Sequence, residues 1–318
     1  MTHIGNIIKE CRCKAGLSQK ELAERICSPK YIYYIEKGER TPSTELLRLI
    51  SDKLNTDLCS LYQFLDCVHP LEVRNTIMLF EKYKRNSDFS NLTKLTERVK
   101  NKPDFTRAPW SYEIDINHYC PIVLVEGKAD QAVDGLKATI QSLLATGYLD
   151  YHLAQLNILL SICYHILKDW NNCEKTAQST LDLIKYKGDM FQYKHVIVTT
   201  KLTLLFLYIE TGRFDETIQQ GLVLLDYQMK HNLYERLHYT YFLLALAYYR
   251  LDRPEDAVSF CKKSLHIAMV HERVYDVGIF LAHDTFIELI NHDLIDRRLV
   301  AEFCKTYQIC IKQHKINL

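Results

Sequence analysis

The amino-acid sequence predicts an all-α protein: a small N-terminal five-helix domain, then a right-handed superhelix of stacked helix pairs. Three observations lead there. Chain breakers are scarce, with 10 Gly and 7 Pro in 318 residues, which favours long helices over a sheet with many turns. Apolar residues recur at helical spacing along most of the chain. Beyond residue 70, a pattern of helix end, short polar turn and new helix returns at intervals of 40, 41, 44 and 40 residues, the mark of a repeat architecture. The length suits one small and one large domain, read here as 1–67 and 68–318.

Composition narrows the class. Hydrophobic residues make up 47% and charged residues 25% of the chain, as in ordinary folded proteins. The net charge of +1 provides no global basic field, so any binding to nucleic acid has to rest on a local site. The 11 Cys are odd in number and form no CxxC pair; they read as free thiols used as small hydrophobes in a reducing cytosol. The N-terminal residues hold no secretory h-region. The most apolar stretch, 196–209, is broken by Lys201 and falls short of the roughly 20 residues a membrane span needs. The expectation is a cytoplasmic chain with no membrane contact.

In the N-terminal domain, residues 3–14 form a first helix with Ile4, Ile7, Ile8 and Cys11 on one face, ended by Gly16. Ser18 with Glu21 makes a capping box that starts a second helix bearing Leu22, Ala23 and Ile26. Ser28 caps a third, with Pro29 in its first turn, which runs to about Lys37 and stops at Gly38. Thr41-Pro42 opens a fourth carrying Leu46, Leu47, Leu49, Ile50 and Leu54. A fifth, 57–66, carries Leu58, Leu61, Tyr62 and Leu65.

The run GLSQKELAERICSPKYIYYIEKGERTPSTELLRLISDKLN, together with Arg12, resembles the helix-turn-helix of the Cro/C1-type repressor superfamily. Arg12, Gly16, Leu17, Ser18, Gln19, Leu22, Ala23, Ile32, Ile35, Glu36, Gly38, Pro42, Leu46 and Leu54 carry the likeness. The chain departs from the pattern in the turn, where Arg25-Ile26-Cys27 replaces the usual small residue and glycine, a variant similar to PlcR-type regulators. The resemblance implies binding to double-stranded DNA, with the third helix in the major groove. Lys30, Tyr31, Tyr33, Tyr34 and Lys37 then face outward, toward bases or phosphates. Ser18 and Gln19, at the start of the second helix, would meet a phosphate, as would Arg12, Lys37 and Arg40. Glu36 would bond inside the domain. One such domain makes few contacts, so two copies on a palindromic operator, and hence a homodimer, are expected.

The clearest repeats are YHILKDWNNCEKTAQSTL from Tyr164, YIETGRFDETIQQGLVLL from Tyr208 and YYRLDRPEDAVSFCKKSL from Tyr248, with weaker copies near Tyr83 and Val125. The residue that packs the second helix falls at Leu92, Ala132, Cys173, Thr217 and Ala257. Aromatic plugs (Phe89, Trp170, Phe214) precede it in three of them. These copies resemble tetratricopeptide repeats with longer helices. Joined to a Cro/C1-type domain, they are similar to the RRNPP family of peptide-responsive quorum-sensing regulators. Stacked pairs bury a shared core and leave a concave face lined by the first helix of each pair. Its inner positions are Gln155, Ile158, Ile162 and His165, then Thr199, Leu202, Phe206 and Glu210, then Tyr239, Phe242, Leu246 and Arg250, with Asn157, Lys201, His238 and Tyr241 as polar neighbours. Apolar pockets beside amides and hydroxyls suit a short signalling peptide. Residues 291–318, with Leu299, Phe303, Tyr307 and Ile311 at helical spacing, read as a terminal capping helix.

No GxGxxG, Walker loop, GxSxG or HExxH occurs, and Cys67 with His69 gives two ligands where a zinc site needs more. No catalytic residue, metal or cofactor is expected. Two functions stay open at this point: a DNA-binding transcriptional regulator controlled by a short peptide, and a repeat-containing adaptor that binds a folded protein and tethers it to DNA.

Overall fold

A computed structural model describes residues 3–146, 150–187, 190–291 and 297–307, and every regular element among them is a helix. Packing divides the chain into two compact units, Met1–Lys84 with Ser90–Ile114, and Arg85–Phe89 with Asp115–Leu318.

The first unit opens with α1 (Ile4–Lys14), α2 (Gln19–Ala23), α3 (Pro29–Glu36) and α4 (Thr44–Leu54). Local chemistry sets their starts. The Ser18 hydroxyl accepts from the Glu21 amide while the Glu21 carboxylate accepts from the Ser18 amide, and Ser28 caps α3 with Pro29 in its first turn. The fourth helix begins one turn later than Thr41-Pro42 suggests, because the Ser43 hydroxyl captures the Leu46 amide. Ile4, Ile7, Ile8, Leu22, Ala23, Ile32, Ile35, Leu47 and Ile50 form the core. Burying such a side chain contributes about 1.5–3 kcal/mol. Gly5 lets α1 cross α3 closely, since a Cβ there would lie 1.7 Å from the Ile35 carbonyl oxygen. The expected fifth helix is a shorter 3-10 turn, Cys59–Phe64, with Leu58, Leu61 and Phe64 buried.

The same unit continues through α5 (Pro70–Arg85) and α6 (Phe89–Val99), a 3-10 turn at Pro103–Thr106, and the start of α7 (Trp110–Leu124). Phe64 stacks on Trp110 at 4.8 Å. The Asp104 carboxylate accepts from the amides of Val68 and His69 at 2.7 and 2.9 Å, satisfying donors at the entry to α5.

The second unit holds the rest of α7 and then α8 (Ala129–Thr146), α9 (Asp150–Ile166), α10 (Trp170–Ile184), α11 (Phe191–Glu210), α12 (Phe214–Lys230), α13 (Leu237–Arg250) and α14 (Pro254–Val270). Successive helices pack on one another, and α11 also packs on both α9 and α13. The first helices of the pairs thus lie side by side. The expected helix-opening residues Leu92, Ala132, Cys173, Thr217 and Ala257 are all fully buried.

Each of these residues is preceded, five positions earlier, by a left-handed residue in the turn: Ser87 (φ 54°), Gly127 (φ 65°), Lys168 (φ 57°), Gly212 (φ 74°) and Asp252 (φ 55°). That residue ends the first helix in the way glycine commonly does. In two of the following turns an arginine lies over the tyrosine of the repeat pattern, Arg213 over Tyr208 at 4.2 Å and Arg253 over Tyr248 at 4.6 Å.

A shorter pair follows, α15 (Val274–Ala282) and α16 (Asp284–Ile290), and then α17 (Arg297–Thr306), which sets Val300 and Cys304 into the core. The expectation of a capping segment over 291–318 falls partly outside the described residues, as do Ile311 and the side chain of Leu299. None of the described cysteines is joined in a disulfide, and Cys11, Cys67, Cys120, Cys163, Cys173, Cys261 and Cys304 are buried. Burial pushes the Cys67 thiol up to about 11 and those of Cys163 and Cys173 to about 12. Among the described residues, no helix is long and apolar enough to cross a membrane.

Candidate functional site

Two candidate surfaces stand out, one in each unit. In the first, α3 presents Lys30, Tyr33 and Lys37 fully and Tyr31 and Tyr34 in part, because Ile32 and Ile35 point into the core. The outward side chains interleave. Tyr33 meets Tyr34 edge-on at 5.6 Å, Lys30 lies 5.8 Å from the Tyr34 ring, and Lys37 lies 5.8 Å from the Tyr33 ring. Such cation–aromatic contacts hold long side chains in place without removing their charge. Arg40 is exposed beside this helix.

Two of the expected phosphate ligands are turned inward. Arg12 donates to both Glu36 oxygens at 2.6 and 3.1 Å and to the Leu17 carbonyl at 2.6 Å. The Gln19 amide donates to Glu36 at 2.7 Å. Glu36 is buried, and a buried carboxylate needs such donors. Arg12 and Gln19 therefore hold α1, α2 and α3 together rather than reaching outward. Ser18 stays exposed, but its amide and hydroxyl are engaged in the capping box. Lys20 and Arg25 are exposed cations that the family pattern does not single out. Arg25 has φ 63°, in the turn where the pattern would use glycine.

In the second unit, the inner positions divide by burial. Ile158, Leu202, Phe242 and Leu246 lie in the core, whereas Gln155, Ile162, Thr199, Phe206 and Tyr239 are half-buried and Glu210 is exposed. The Thr199 hydroxyl is taken by the His195 carbonyl at 2.9 Å. His238 is not available as a polar neighbour: it is buried, its Nε2 lies 2.9 Å from Asp276 Oδ2, and its carbonyl accepts from Ser264. Burial holds its imidazole below the ordinary value despite the carboxylate.

Asn157 and Lys201 follow their inner neighbours Gln155 and Thr199 by two residues, which at about 100° per residue puts them on the far side of the helix. Their equivalent Tyr241 packs on Phe260 of α14 at 5.9 Å. Burial depresses the Lys201 amine.

What the structure brings together is an aromatic row across three first helices. His165 meets Phe206 at 6.3 Å, and Phe206 meets Tyr239 at 5.9 Å and Phe242 at 6.4 Å. The row continues into residues not foreseen from the repeats: Phe280 stacks on Phe242 at 4.4 Å, and His283 meets Phe242 at 5.8 Å. The pair that carries them is short and lacks the repeat's turn pattern, so no spacing pointed to it. Tyr239 donates to Asp276 at 2.7 Å, tying α13 to α15. Among the described residues, no three or more His, Cys, Asp or Glu side chains gather as a metal site.

Residues 8–61 match the sequence profile of the helix-turn-helix family. No curated protein matches the chain. Among solved structures, the fold is similar to that of Bacillus thuringiensis PlcR in complex with the peptide PapR7 and DNA. The TM-score is 0.70 at 17% identity, over 86% of this chain and 96% of that one. ComR from S. thermophilus in complex with DNA and its signalling peptide ComS is similar with a TM-score of 0.49 at 18% identity, over 85% of this chain and 94% of that one. At such identities the likeness is one of fold.

Proposed function

We propose that this chain is a cytoplasmic DNA-binding transcriptional regulator, acting as a homodimer, whose DNA affinity is set by a short signalling peptide held on the inner face of its helix pairs. The observation that carries the reading is the union, in one chain, of a helix-turn-helix with a basic, aromatic α3 surface and a stack of helix pairs with a continuous aromatic row on its inner side. The likeness in fold to PlcR, whose solved complex contains both a peptide and DNA, supports it.

In this reading residues 1–67 are the DNA reader and 68–318 the sensor and dimerisation region. Lys30, Tyr31, Tyr33 and Tyr34 face base edges, while Lys37, Arg40 and Ser18 meet the backbone. Gln155, Ile162, Phe206, Tyr239 and Glu210 meet the peptide. Peptide control requires that the ligand bind two conformations of the dimer with different affinity.

The test has two arms. Selection of genomic fragments by the full-length protein should return a two-fold symmetric site; recovery of unrelated fragments overturns the DNA reading. Calorimetric titration with short peptides encoded by the same genome should give saturable binding and a changed affinity for that site. Binding only of an intact folded protein would instead favour an adaptor.

A further inference from the structure

The inner row ends in a carboxylate that no ion pair among the described residues engages. Glu210 is the last residue of α11, one turn beyond Phe206 on the aromatic row. It is exposed, and none of the hydrogen bonds and ion pairs among the described residues uses it. Its charge reaches His165 on α9 and His283 between α15 and α16. Asp284, the next residue, adds a second negative charge beside His283.

The two neighbouring imidazoles carry no charge to offset it. Both imidazoles are held below their ordinary value by burial, and each has a buried Nδ1 without a partner. A proton added there would gain no acceptor, so the rings stay neutral near neutral pH. Arg250, the inner-row guanidinium of α13, donates to the Thr285 hydroxyl at 2.9 Å; its positive charge also reaches His283, where it stands against the two carboxylates Glu210 and Asp284. Next along the row, His165 meets the Trp170 ring at 5.4 Å and the Phe206 ring at 6.3 Å. Aromatic faces accept the alkyl stem and the charge of a cation.

We propose that Glu210 receives the positive charge of the effector: this end of the inner face takes a short peptide carrying a lysine or arginine side chain, or a free N-terminal amine, at the position that meets α11. The inference rests on the peptide reading above. Charge complementarity of this kind sets specificity more than raw affinity, so it decides which peptides are accepted.

The experiment uses the full-length protein and pools of synthetic peptides of about 5–10 residues, the size suited to such a groove. Each pool has one position fixed as Lys, Gln or Glu and is made with both free and acetylated N-termini. Retained peptides are read by mass spectrometry after gel filtration. In the wild type, a Lys-fixed pool or a free-amine pool is retained about tenfold better than its neutral counterpart, the scale of a partly desolvated charge pair. Loss on acetylation identifies the amine, and position-dependent Lys preference identifies the side chain.

Glu210→Gln abolishes the preference, and Glu210→Lys reverses it toward Glu-fixed pools. The site is exposed, so both variants melt as the wild type does. Retention without charge preference, or a preference that survives in Glu210→Gln, overturns this inference alone. Retention of no pool overturns it together with the peptide reading.

Discussion

Glu36 shows how little of a side chain's role is visible in its charge. It is buried and collects three donor contacts, two from Arg12 and one from Gln19. Removing a partner from a buried charge leaves it uncompensated, so Arg12→Ala should cost about 3 kcal/mol of stability, read as a lower melting midpoint. Lys30→Ala or Tyr34→Ala should behave oppositely. Each lowers operator affinity by about 1–3 kcal/mol, as for a lost base contact, while the melt and the circular dichroism stay as in the wild type. Wild-type affinity in the double variant would remove α3 from the interface. The sequence pattern made Glu36 internal but left Arg12 and Gln19 pointing outward, because a one-dimensional pattern records residue type and not the direction of a long side chain. His238 was hidden in the same way: its spacing marks a polar neighbour, and only the approach of α15 brings Asp276 against it.

At the scale of elements, the repeats were legible from the tightly packed residue that opens each second helix, since its burial leaves a compositional trace. The left-handed turn five positions earlier was not, because glycine fills it in only two of the five copies. A non-glycine residue there carries roughly 1–2 kcal/mol of strain. Lys168→Gly and Asp252→Gly should therefore each stabilise by up to about 1 kcal/mol, glycine's looser unfolded chain offsetting part of the gain. Gly212→Ala should destabilise by a similar amount. Equal melts across the set would mean that the left-handed positions carry no such strain.

Three imidazoles on or beside the first helices, His165, His238 and His283, are held low by burial. The unfolded chain then binds more protons than the folded one, so stability falls as pH drops through the ordinary imidazole value of about 6.5 and continues to fall toward the depressed folded values. The melting midpoint should decline between about pH 7.5 and 5.5; a flat profile would contradict the burial of these rings.

For the whole molecule, a net charge of +1 confines attraction for DNA to local cations. Operator binding should still weaken linearly on a log–log salt plot, through counterions released by Lys37 and Arg40. A slope near zero would remove them from the backbone. In the proposed dimer, linkage of two heads raises the effective concentration of the second, so a fragment of residues 1–114 should fold and yet bind the operator more weakly than the full chain. A fragment of residues 1–67 should melt lower than 1–114, because it loses the Phe64–Trp110 stack and the Asp104 carboxylate that caps the entry to α5. Packing draws residues 70–84 and 90–114 into the first unit, a grouping that the uniform helical periodicity from residue 70 onward could not reveal.

The buried thiols make the protein its own reporter of local opening. An alkylating reagent attacks only thiolate, and the high thiol values of Cys67, Cys163 and Cys173 leave almost none of it while they stay buried. Cys13 and Cys59 are exposed and take label at once. Modification of a buried thiol therefore counts an excursion from the native state: Cys67 clocks the first unit, and Cys163, Cys173 and Cys261 clock the second. Anything that steadies one unit lengthens the labelling half-life of its own thiols and leaves the other clock running as before.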